Sequence, residues 1–569
     1  MRFNLVDSRR LTGPNLFSPE AGAICEVDVD EDRRADFASS WLGQVGELLK
    51  AVGWSTSRCW PRIHETGLSL VITAPIDALY AATEVNEAAV ERARRELLGM
   101  DLEDQERVRQ RLLRQIAAEA NPRLLALKEA AERKRRPLLW DDDKVSIGYG
   151  KTCQTWPAAQ LPDPDDVAWD DISPSGAVPV ALVTGTNGKS TTVRLAASIV
   201  EASERRVGVT STDNIRVGHE LLDKGDYSGP GGARTLLRHP DTEVALLEVA
   251  RGGMLRRGLG VVSADCAVVT NVAADHLGEY GIHTVEELRE AKFIVRKALT
   301  QGKPLVLNAD DKGIVEYARQ LPAQLFIWFS QNSEHPVIQG HCMAGGKALV
   351  AHEGMIKLRH QQGFSPIMPI VDIPITLNGQ AGHNVQNALA AAAIGHALGC
   401  DDTAIIRGLR SFRGTPEENP GRGNIITGKG IKAIVDFAHN EHGLTAVAQT
   451  LAAMPARRRL VLMGQAGDRS DELIEGLTRA ALKAKPDQLV VCQLPGYERG
   501  RPPTEVPALI ENVAVRNGMD PDAIHHADSP VTGTRFALSW ARPGDLLLIL
   551  ALTQRGPCLK LLQEQLGRP

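Results

Sequence analysis

A chain of 569 residues, 43% of them hydrophobic and 24% charged, is long enough for three or four domains, each with its own core. The formal charge of −5 excludes the broad polycationic character typical of nucleic-acid-binding proteins. The chain begins without an apolar signal core, and no run approaches the roughly 18 apolar residues of a membrane span. The eight cysteines contain no Cys-x-x-Cys pair. We therefore expect a cytoplasmic protein with reduced thiols, neither exported nor bound to membranes or nucleic acid.

The first 160 residues are predicted to form an α+β domain. Residues 23–29 and 68–73 are strand candidates, and the charged stretch 86–134 favours helix, with a break at Asn121-Pro122. The basic run at 132–137 is interpreted as the solvated end of a helix, in preference to a nucleic-acid site.

Two segments separate this part from the next. Residues 144–150 are typical of a strand and a turn. Residues 157–174 are rich in Pro and Asp and predict a linker.

From residue 175 to residue 412, strand and helix patterns alternate, which predicts an α/β domain with a parallel sheet. Residues 180–192 read Val-Ala-Leu-Val-Thr-Gly-Thr-Asn-Gly-Lys-Ser-Thr-Thr, the order of strand, phosphate loop and helix. Lys189 would reach the outer phosphates of a nucleotide, and a hydroxyl of Ser190 or Thr191 would bind Mg²⁺. The pattern is a variant, since Val183 stands where the strict motif has glycine. The alternative is a glycine-containing turn after a buried strand.

Polar residues follow four strand candidates of this segment. The phosphate loop follows residues 181–183, and Glu248 follows residues 244–247. Asn271, Asp275 and His276 come after residues 267–269. Asn308, Asp310 and Asp311 come after residues 305–307. Because ligands of open α/β sheets gather beyond the carboxyl ends of the strands, these residues are expected to converge on the phosphates.

Two of these residues are candidate metal ligands. Glu248 is suited to a direct or indirect Mg²⁺ role, the alternative being an exposed acid at the end of a strand. His276 could bind a second divalent ion, with Asp275 or a backbone carbonyl setting its tautomer. The alternative for His276 is a structural histidine in a loop.

Lys292 lies on an apolar helical stripe. Thr284 and Glu287 form a candidate capping box, and the stripe that follows consists of Val285, Leu288, Lys292, Val295 and Leu299. A lysine in this position must extend to solvent, pair with an acid or lose its charge. Carbamylation to a carboxylate would turn it into a metal ligand, and extension to solvent is the simpler alternative.

A small antiparallel excursion is predicted at 345–374 and a helix at 384–398. Residues 413–569 are predicted to form a smaller, Rossmann-like domain, with strands at 432–435, 459–463, 488–492 and 545–550. Arg422, Asp436 and His439 could hold ribose, phosphate or a substrate carboxylate when this domain closes over the loop. Each of them taken alone is typical of a surface residue.

Several motifs together resemble the Mur ligase family in order and spacing. They are Thr184-Gly-Thr-Asn-Gly-Lys-Ser-Thr191, residues 271–276, Lys292, Gly382-His-Asn-Val-Gln-Asn387 and Asp436-Phe-Ala-His-Asn440. A further set is similar to the Mur-ligase half of the cyanophycin synthetase family. It consists of Glu248-Val-Ala-Arg-Gly-Gly-Met-Leu-Arg-Arg-Gly-Leu259, Asp275-His-Leu-Gly278, Leu307-Asn-Ala-Asp-Asp311 and Asn419-Pro-Gly-Arg422. Thr12-Gly-Pro-Asn15 and Ser146-Ile-Gly-Tyr-Gly150 resemble, more weakly, the amino-terminal domain of that family.

The resemblance implies a three-domain α/β architecture, in which an α+β domain precedes a central phosphate-loop domain and a Rossmann-like one. It implies ATP and two Mg²⁺ ions, with catalytic roles for Lys189, Glu248, His276 and Lys292. The implied nucleotide-binding residues are Thr186, Asn187, Gly188, Lys189, Ser190, Thr191, Asn384, Arg422, Asp436 and His439. The implied metal ligands are Ser190, Glu248, His276 and Lys292, of which Lys292 matches the carbamylated lysine of the family.

The activity implied by the resemblance is ATP-dependent amide ligation through an acyl phosphate. The substrates would be an amino acid and the carboxylate of an acidic amino acid, peptide or polymer, by default arginine and an aspartate side chain. No ATP-grasp domain separates the amino-terminal and Mur-like parts, so one kind of amide bond is expected. Glu441-His442 stands where the family usually has proline after Asn440.

Two alternatives to a ligase stay open at this point. The chain could be a catalytically silent ATP-binding partner of a full-length synthetase, or a nucleoside-triphosphatase switch. The full set of metal-ligand candidates favours the enzyme. The oligomeric state is left open, a homo-oligomer included.

Overall fold

A computed structural model describes residues 3–322 and 324–567. Its strands form four sheets, of four, three, eleven and six strands. We refer to residues 3–174 as the amino-terminal region, to 175–412 as the central region and to 413–567 as the carboxy-terminal region. The domain limits predicted above, 1–160, 175–412 and 413–569, stay predictions. None of the helices in the described ranges combines the length and the apolar character needed to cross a bilayer.

The amino-terminal region contains a four-stranded antiparallel sheet with helices packed on it. Its elements are β1 (Phe3–Leu11), β2 (Gly22–Val29), α1 (Arg34–Ala51), β3 (Cys59–Ile63), β4 (Gly67–Thr73), α2 (Leu79–Leu97), α3 (Gln105–Glu119), α4 (Pro122–Arg133), β5 (Leu138–Trp140), β6 (Lys144–Ile147) and β7 (Gln154–Pro157). The sheet order is β1-β2-β4-β3, and β5 to β7 form a separate small sheet. The predicted helical stretch is interrupted twice, because Asp104 caps α3 and Asn121 caps α4 with their side chains.

The Pro- and Asp-rich segment 157–174, predicted as a linker, packs against this region instead. Its Leu161, Val167 and Ile172 are buried in one apolar cluster with Leu127 of α4. The prediction was wrong because Pro and Asp determine the turns of a segment, whereas its few apolar residues determine where it packs.

The central region is built on an eleven-stranded sheet. Its elements are β8 (Val180–Thr184), α5 (Lys189–Ala202), β9 (Val207–Thr210), β10 (Asn214–Val217), β11 (Glu220–Lys224), α6 (Pro230–Arg238), β12 (Val244–Glu248), α7 (Arg251–Arg257), β13 (Cys266–Val269), α8 (Val285–Lys292), β14 (Leu305–Asn308), α9 (Lys312–Ala318), β15 (Phe326–Ser330), α10 (Pro336–Met343), β16 (Lys347–His352), β17 (Met355–His360), β18 (Gly363–Pro369), α11 (Gly382–Ala397) and α12 (Asp402–Ser411).

The sheet order of the central region places β8 in the middle of the parallel strands. The order is β11-β10-β9-β12-β8-β13-β14-β15-β16-β17-β18, and the strands from β9 to β16 in this order run parallel. The strands β8, β12 and β13 are buried along their whole length, as apolar strands covered by helices on both faces should be. The antiparallel β17 and β18 confirm the predicted excursion.

Helix α8 ends earlier than the apolar stripe predicts. The capping box of Thr284 and Glu287 is present, but the α-helix stops at Lys292 and a 3₁₀ helix follows at Phe293–Ala298. The stripe therefore does not continue to Leu299 with α-helical spacing. Leu288, Lys292 and Val295 are nevertheless buried.

The carboxy-terminal region is a second, smaller α/β unit. Its elements are β19 (Asn424–Gly428), β20 (Ile431–Asp436), α13 (Glu441–Ala453), β21 (Arg459–Met463), α14 (Asp471–Leu482), β22 (Gln488–Cys492), α15 (Glu505–Arg516), β23 (Ile524–Ala527), α16 (Pro530–Trp540), β24 (Leu546–Leu550) and α17 (Arg555–Leu566). The sheet order is β19-β20-β24-β21-β22-β23, with all strands parallel except β19. This is the parallel-sheet α/β fold predicted for the segment.

The loop Thr12-Gly-Pro-Asn15 docks the amino-terminal region onto the central region. The backbone N–H of Thr12 donates to the carbonyl of Arg257 at 2.7 Å, and the N–H of Leu259 donates to the carbonyl of Pro14 at 2.7 Å. Lys297 Nζ donates to the carbonyl of Asn15 at 2.7 Å. A Cβ atom at Gly13 would lie 2.2 Å from the carbonyl oxygen of Leu259, so the close approach requires glycine.

We expect Gly13→Ala to destabilise the docked arrangement by about 1–3 kcal/mol, the usual cost of inserting a methyl group into a packed contact. The measurement is the thermal unfolding midpoint, together with proteolysis of the amino-terminal region. Gly43→Ala in α1 is the matched control, since its Cβ meets no atom within 4 Å and alanine favours helix. A Gly13→Ala variant as stable as the wild type would contradict the docking role.

Candidate functional site

The phosphate loop lies between β8 and α5, at the carboxyl end of β8, which has β12 on one side and β13 on the other. In such sheets this position is the usual ligand crevice. Gly185 and Gly188 have φ of +148° and +84°. A Cβ atom at Gly185 would lie 1.9 Å from Thr270 Oγ1, and one at Gly188 would lie 2.3 Å from Asn387 Oδ1. Both glycines are therefore needed for the shape of the loop, as expected of a backbone that cradles phosphate.

Residues after β13 hold the loop in place. The backbone N–H groups of Thr186 and Asn187 donate to the carbonyl and to the Oδ1 of Asn271, both at 2.8 Å. Thr270 Oγ1 donates to the carbonyl of Asn187 at 2.7 Å. Lys189 Nζ donates to the carbonyls of Gly185 and Thr186, at 3.1 and 3.0 Å. The lysine thus lies over the loop, where phosphate oxygens would replace its carbonyl partners.

All the site residues predicted from the sequence line one cleft of about 1480 Å³ between the central and carboxy-terminal regions. They are Thr186, Asn187, Gly188, Lys189, Ser190, Thr191, Glu248, His276, Lys292, Asn384, Arg422, Asp436 and His439. The convergence follows from the fold, because each residue lies in or near a segment at the carboxyl end of a strand or at the start of a helix. Their individual roles stay predictions.

Glu248 and Lys292 are the most deeply buried ionisable side chains of the predicted set, with 2% and 3% of their surface exposed. Glu248 is the last residue of β12, and its Oε2 accepts a weak bond from the N–H of Thr212 at 3.4 Å. Burial and the nearby charge of Lys189 hold the pKa of Lys292 well below its usual range, and Asp275 only partly opposes this. A lowered pKa favours the neutral amine, the form that reacts with carbon dioxide.

The pKa of Lys189 is also lowered, but less than that of Lys292. Burial lowers the pKa of Lys189, whereas the carboxylates of Glu248 and Asp275 raise it. The cleft therefore contains buried acids that partly neutralise its buried cations.

Asp275, His276 and His439 bring potential metal ligands together across the two regions. One ligand atom from each lies within 4.8 Å of the others. His439 Nε2 is 3.3 Å from Asp275 Oδ2, and Arg469 Nη2 donates to His276 Nε2 at 2.9 Å. A metal bound at this nitrogen would have to displace Arg469. The sequence analysis had assigned His439 to the nucleotide and Asp275 to the orientation of His276, so the group of three is a finding of the structure.

Asp275 stays ionised in spite of its burial. Burial alone would raise the pKa of Asp275, but the hydrogen bond with His439 and the charges of His276 and Arg469 hold it well below the usual range. The carboxylate is therefore available to pair with the carboxy-terminal region over the whole physiological pH range.

Two asparagines connect the phosphate loop to the carboxy-terminal region. Asn187 Nδ2 donates to Asn440 Oδ1, and Asn440 Nδ2 donates to Asn187 Oδ1, both at 3.1 Å. His442 Nδ1 lies 3.1 Å from Asn187 Nδ2, and burial lowers the pKa of His442. The sequence had shown His442 only as a departure from the family pattern, and its contact with the loop could not be read from it.

Asp213 is a site residue that sequence reasoning missed. Its carboxylate pairs with Arg194 at 2.6 Å, with Arg555 at 2.5 Å and with Arg422 at 3.9 Å. Burial raises the pKa of Asp213, but these arginines hold it below its usual range. The available signal was the short apolar strand β9 just before Asp213, which the sequence analysis did not identify.

Asn384 and Asp436 lie at the remaining edges of the cleft. Asn384 Nδ2 donates to the carbonyl of Ile375 at 3.0 Å, and its Oδ1 accepts from Asn387 Nδ2 at 3.1 Å. Burial raises the pKa of Asp436 to about 6, although the N–H of Ala438, 2.8 Å from Oδ1, opposes the shift. The neighbouring His383 has a buried Nδ1 without a partner in the described part of the chain, and burial lowers its pKa to about 4.

Known proteins are similar to more than half of this chain. Cyanophycin synthetase of Nostoc sp. (strain PCC 7120) is 37% identical over 328 residues, which are 58% of this chain and 36% of that protein. UDP-N-acetylmuramoyl-L-alanyl-D-glutamate--2,6-diaminopimelate ligase of Listeria monocytogenes serotype 4b is 25% identical over 395 residues, 66% of this chain and 74% of that protein. The alignment thus spans about a third of the length of the cyanophycin synthetase.

Solved structures and family models agree with these relatives. Folylpolyglutamate synthase of Mycobacterium tuberculosis complexed with ADP has the same fold, with a TM-score of 0.50 and 20% identity, covering 68% of this chain and 90% of that chain. The model of the Mur ligase middle domain matches residues 183–395, and the model of the Mur ligase, glutamate ligase domain matches residues 421–551. Both domains occur in the order in which the motifs predicted them, and the chain belongs to the Mur ligase family.

Proposed function

We propose that the protein is an ATP-dependent ligase that joins a carboxylate to an amine through an acyl phosphate. The observation that carries this proposal is the convergence of all thirteen predicted site residues on one cleft between two regions. A phosphate loop alone would suit any nucleotide-binding protein. A phosphate loop whose own lysine shares a cleft with the buried Lys292, the buried Glu248 and a second α/β unit suits a reaction in which charge must be neutralised and water excluded.

In this proposal the phosphate loop binds ATP. The backbone N–H groups of residues 188–191 and the Lys189 ammonium would face the phosphates, while the N–H groups of Thr186 and Asn187, which donate to Asn271, hold the loop in shape beside the nucleotide. Asn384 and Asp436 contact the rest of the nucleotide, and Arg422 and His439 approach it from the carboxy-terminal region. Gly185 and Gly188 fit this role, since a Cβ atom at either would clash with Thr270 or Asn387 and displace the loop.

Ser190, Glu248 and His276 are the proposed Mg²⁺ ligands, and Lys292 joins them after carbamylation. The neutral amine of Lys292 attacks carbon dioxide, a carbon–nitrogen bond forms as one C=O π bond becomes a C–O⁻ group, and the nitrogen releases one proton. The neutral amine is thereby replaced by an anion, which the positive charge of Lys189 and a bound metal ion would both stabilise. Bound Mg²⁺ would neutralise phosphate charge and orient the phosphates.

The proposed reaction has two steps, phosphorylation of the carboxylate and attack by the amine. An oxygen of the carboxylate attacks the γ-phosphorus of ATP, the bond from that phosphorus to the β,γ-bridging oxygen breaks, and ADP leaves. The amine nitrogen then attacks the acyl carbon, the bond to the phosphate oxygen breaks, and the amine gives up a proton as the amide forms. Lys189 stabilises the negative charge on the transferred phosphoryl group. The contacts of Asn440 and His439 with the central region keep water from the acyl phosphate.

We propose that the substrates are an amino acid and an acidic amino acid, peptide or polymer. The relatives support this class, because one is named a cyanophycin synthetase and another a ligase of diaminopimelate. Arginine and an aspartate side chain are the first pair to test. A homo-oligomer stays a prediction.

The function is tested by ADP release from the purified protein with ATP and Mg²⁺, across a grid of amino acids and acidic acceptors that includes β-aspartyl peptides. We expect turnover that requires both an amine and a carboxylate, with a product mass equal to their condensation. ATP binding without turnover across the grid would instead support the silent partner. Turnover without either substrate would support a nucleoside-triphosphatase switch.

We expect Lys292→Ala to lower ligation by about a hundredfold or more, as when a group that stabilises developing charge is removed. With ¹³C-bicarbonate, the wild type should show one carbamate signal in the ¹³C NMR spectrum, which Lys292→Ala should lack. Lys312→Ala is the control, since the side chain of Lys312 is 90% exposed. Full ligation by Lys292→Ala, or a wild type without the signal, would exclude the carbamate.

The raised pKa of Asp436 predicts that the stability of the protein depends on pH. Because its folded pKa is about 6, above the unfolded value of about 4, the native state binds more protons than the unfolded state between these values. Stability is therefore lost as the pH rises through this window. We expect Asp436→Asn, which is neutral at every pH, to raise the Tm relative to wild type more at about pH 7.5 than at about pH 5.

The matched control is Asp528→Asn, an exposed carboxyl outside the cleft, for which the Tm difference should be the same at both pH values. If the Tm difference between Asp436→Asn and wild type does not grow with pH, ionisation of Asp436 does not lower the stability of the folded protein.

A further inference from the structure

Two consecutive arginines line the same cleft as the phosphate loop. Arg256 and Arg257 are the last two residues of α7, and both line the cleft. Arg256 is exposed and Arg257 is half-buried. Neither forms an ion pair with any residue in the described ranges, although Arg251 on the same helix pairs with Glu279.

Other arginines around them already have acidic partners. Arg9 of β1 pairs with Glu26 at 2.8 Å, and Arg10 pairs with Asp142 at 2.6 Å. These pairs are complete within the protein. Arg256 and Arg257 line the cleft without an acidic partner in the described ranges, so their positive charges are available to a ligand.

The arginines are held close together in spite of their repulsion. Burial lowers the pKa of Arg257, and the charges of Arg10, Arg256 and Arg9 lower it further. The N–H of Thr12 binds the carbonyl of Arg257, and Arg257 Nη1 donates to the carbonyl of Arg10 at 3.3 Å. The amino-terminal region thus fixes the last turn of α7 and keeps like charges adjacent, which costs free energy unless an anion binds.

The size of the cleft leaves room for a second ligand beyond the nucleotide. Its volume of about 1480 Å³ exceeds the range of roughly 300–1,000 Å³ usual for a pocket with one small molecule. The phosphate loop and both arginines line this one cleft. A substrate that reaches Lys189 could therefore also contact the two arginines.

We propose that Arg256 and Arg257 form a subsite for an acidic peptide acceptor, binding a carboxylate other than the one that reacts. This deepens the proposed ligase function and rests on it. Guanidinium groups match carboxylates with two parallel hydrogen bonds, so a pair of them suits an acceptor with several side-chain carboxylates. A single acidic amino acid has only one carboxylate besides the one that reacts, whereas an acidic peptide offers several.

A peptide is favoured over a nucleic acid by carboxylates that line the same cleft. These carboxylates belong to Asp226 and Glu279. They would repel the continuous phosphate chain of a nucleic acid, whereas a peptide can place carboxylates at the arginines and backbone amides beside the acids.

The test is direct binding without ATP, measured by the fluorescence anisotropy of a labelled octa-aspartate peptide at low salt. We expect Arg256→Gln with Arg257→Gln to weaken binding by about tenfold or more, the loss expected for charge-assisted hydrogen bonds. The single variant Arg256→Gln, which removes no contact within the described chain, should weaken it in the same direction. Arg319→Gln, an exposed arginine outside the cleft, should bind as the wild type does.

The outcomes separate this inference from the proposed function. Equal affinity of the double variant and the wild type, or no binding by the wild type, overturns the subsite even if ligation occurs. Equal binding of a single-stranded oligonucleotide through the same arginines also overturns it, because the site would then be a general polyanion site. Loss of octa-aspartate binding in the double variant supports the subsite, whether or not the substrate grid yields an amide.

Discussion

Burial of two lysines in one cleft is the constraint on which the site depends. Removing an ammonium group from water costs several kcal/mol unless an acid or another anion is near. Lys189 has Glu248 and Asp275 nearby, and anionic phosphates would complete its surroundings. Burial and the charge of Lys189 lower the pKa of Lys292, so the least costly state of this lysine is the neutral amine. The two lysines of the site thus have different chemistry because they have different neighbours.

Asp275 links this electrostatic arrangement to the position of the carboxy-terminal region. Its carboxylate lies 3.3 Å from His439 Nε2, 3.4 Å from Asn440 Nδ2 and 3.8 Å from Arg469 Nη2, all on the other side of the cleft. The same carboxylate raises the pKa of both buried lysines. Any movement that opens the cleft would separate Asp275 from these partners, so the closed position and the charge state of the site stabilise each other.

The sequence predicted the parts of the site that depend on local pattern and on strand direction. The phosphate loop, Glu248 at the end of β12 and the capping box before Lys292 follow from short segments, and their convergence follows from the parallel sheet. Contacts between distant segments could not be predicted this way. Asp213 and Arg555 are 342 residues apart, and their pairing depends on how two regions dock.

Packing also explains why local pattern failed elsewhere. The apolar stripe through Lys292 was extended too far because a 3₁₀ helix buries apolar residues as an α-helix does. The predicted linker contains enough apolar residues to join the core of the amino-terminal region. In both cases the burial of apolar residues was foreseeable, whereas the backbone conformation that achieves it was not.

The motif from Arg251 to Leu259 shows how one segment combines packing with binding. A Cβ atom at Gly258, whose φ is +81°, would lie 2.6 Å from the carbonyl oxygen of Gly13, so glycine is required where the amino-terminal loop crosses. Arg256 and Arg257, which lie between Gly253 and Gly258, line the cleft. The backbone of Arg257 is held by the loop Thr12-Gly-Pro-Asn15. The amino-terminal region therefore contributes to the site without lining it, since it determines where the arginines of α7 are presented. This gives a physical reason for Thr12-Gly-Pro-Asn15 and the α7 motif to occur in the same chain.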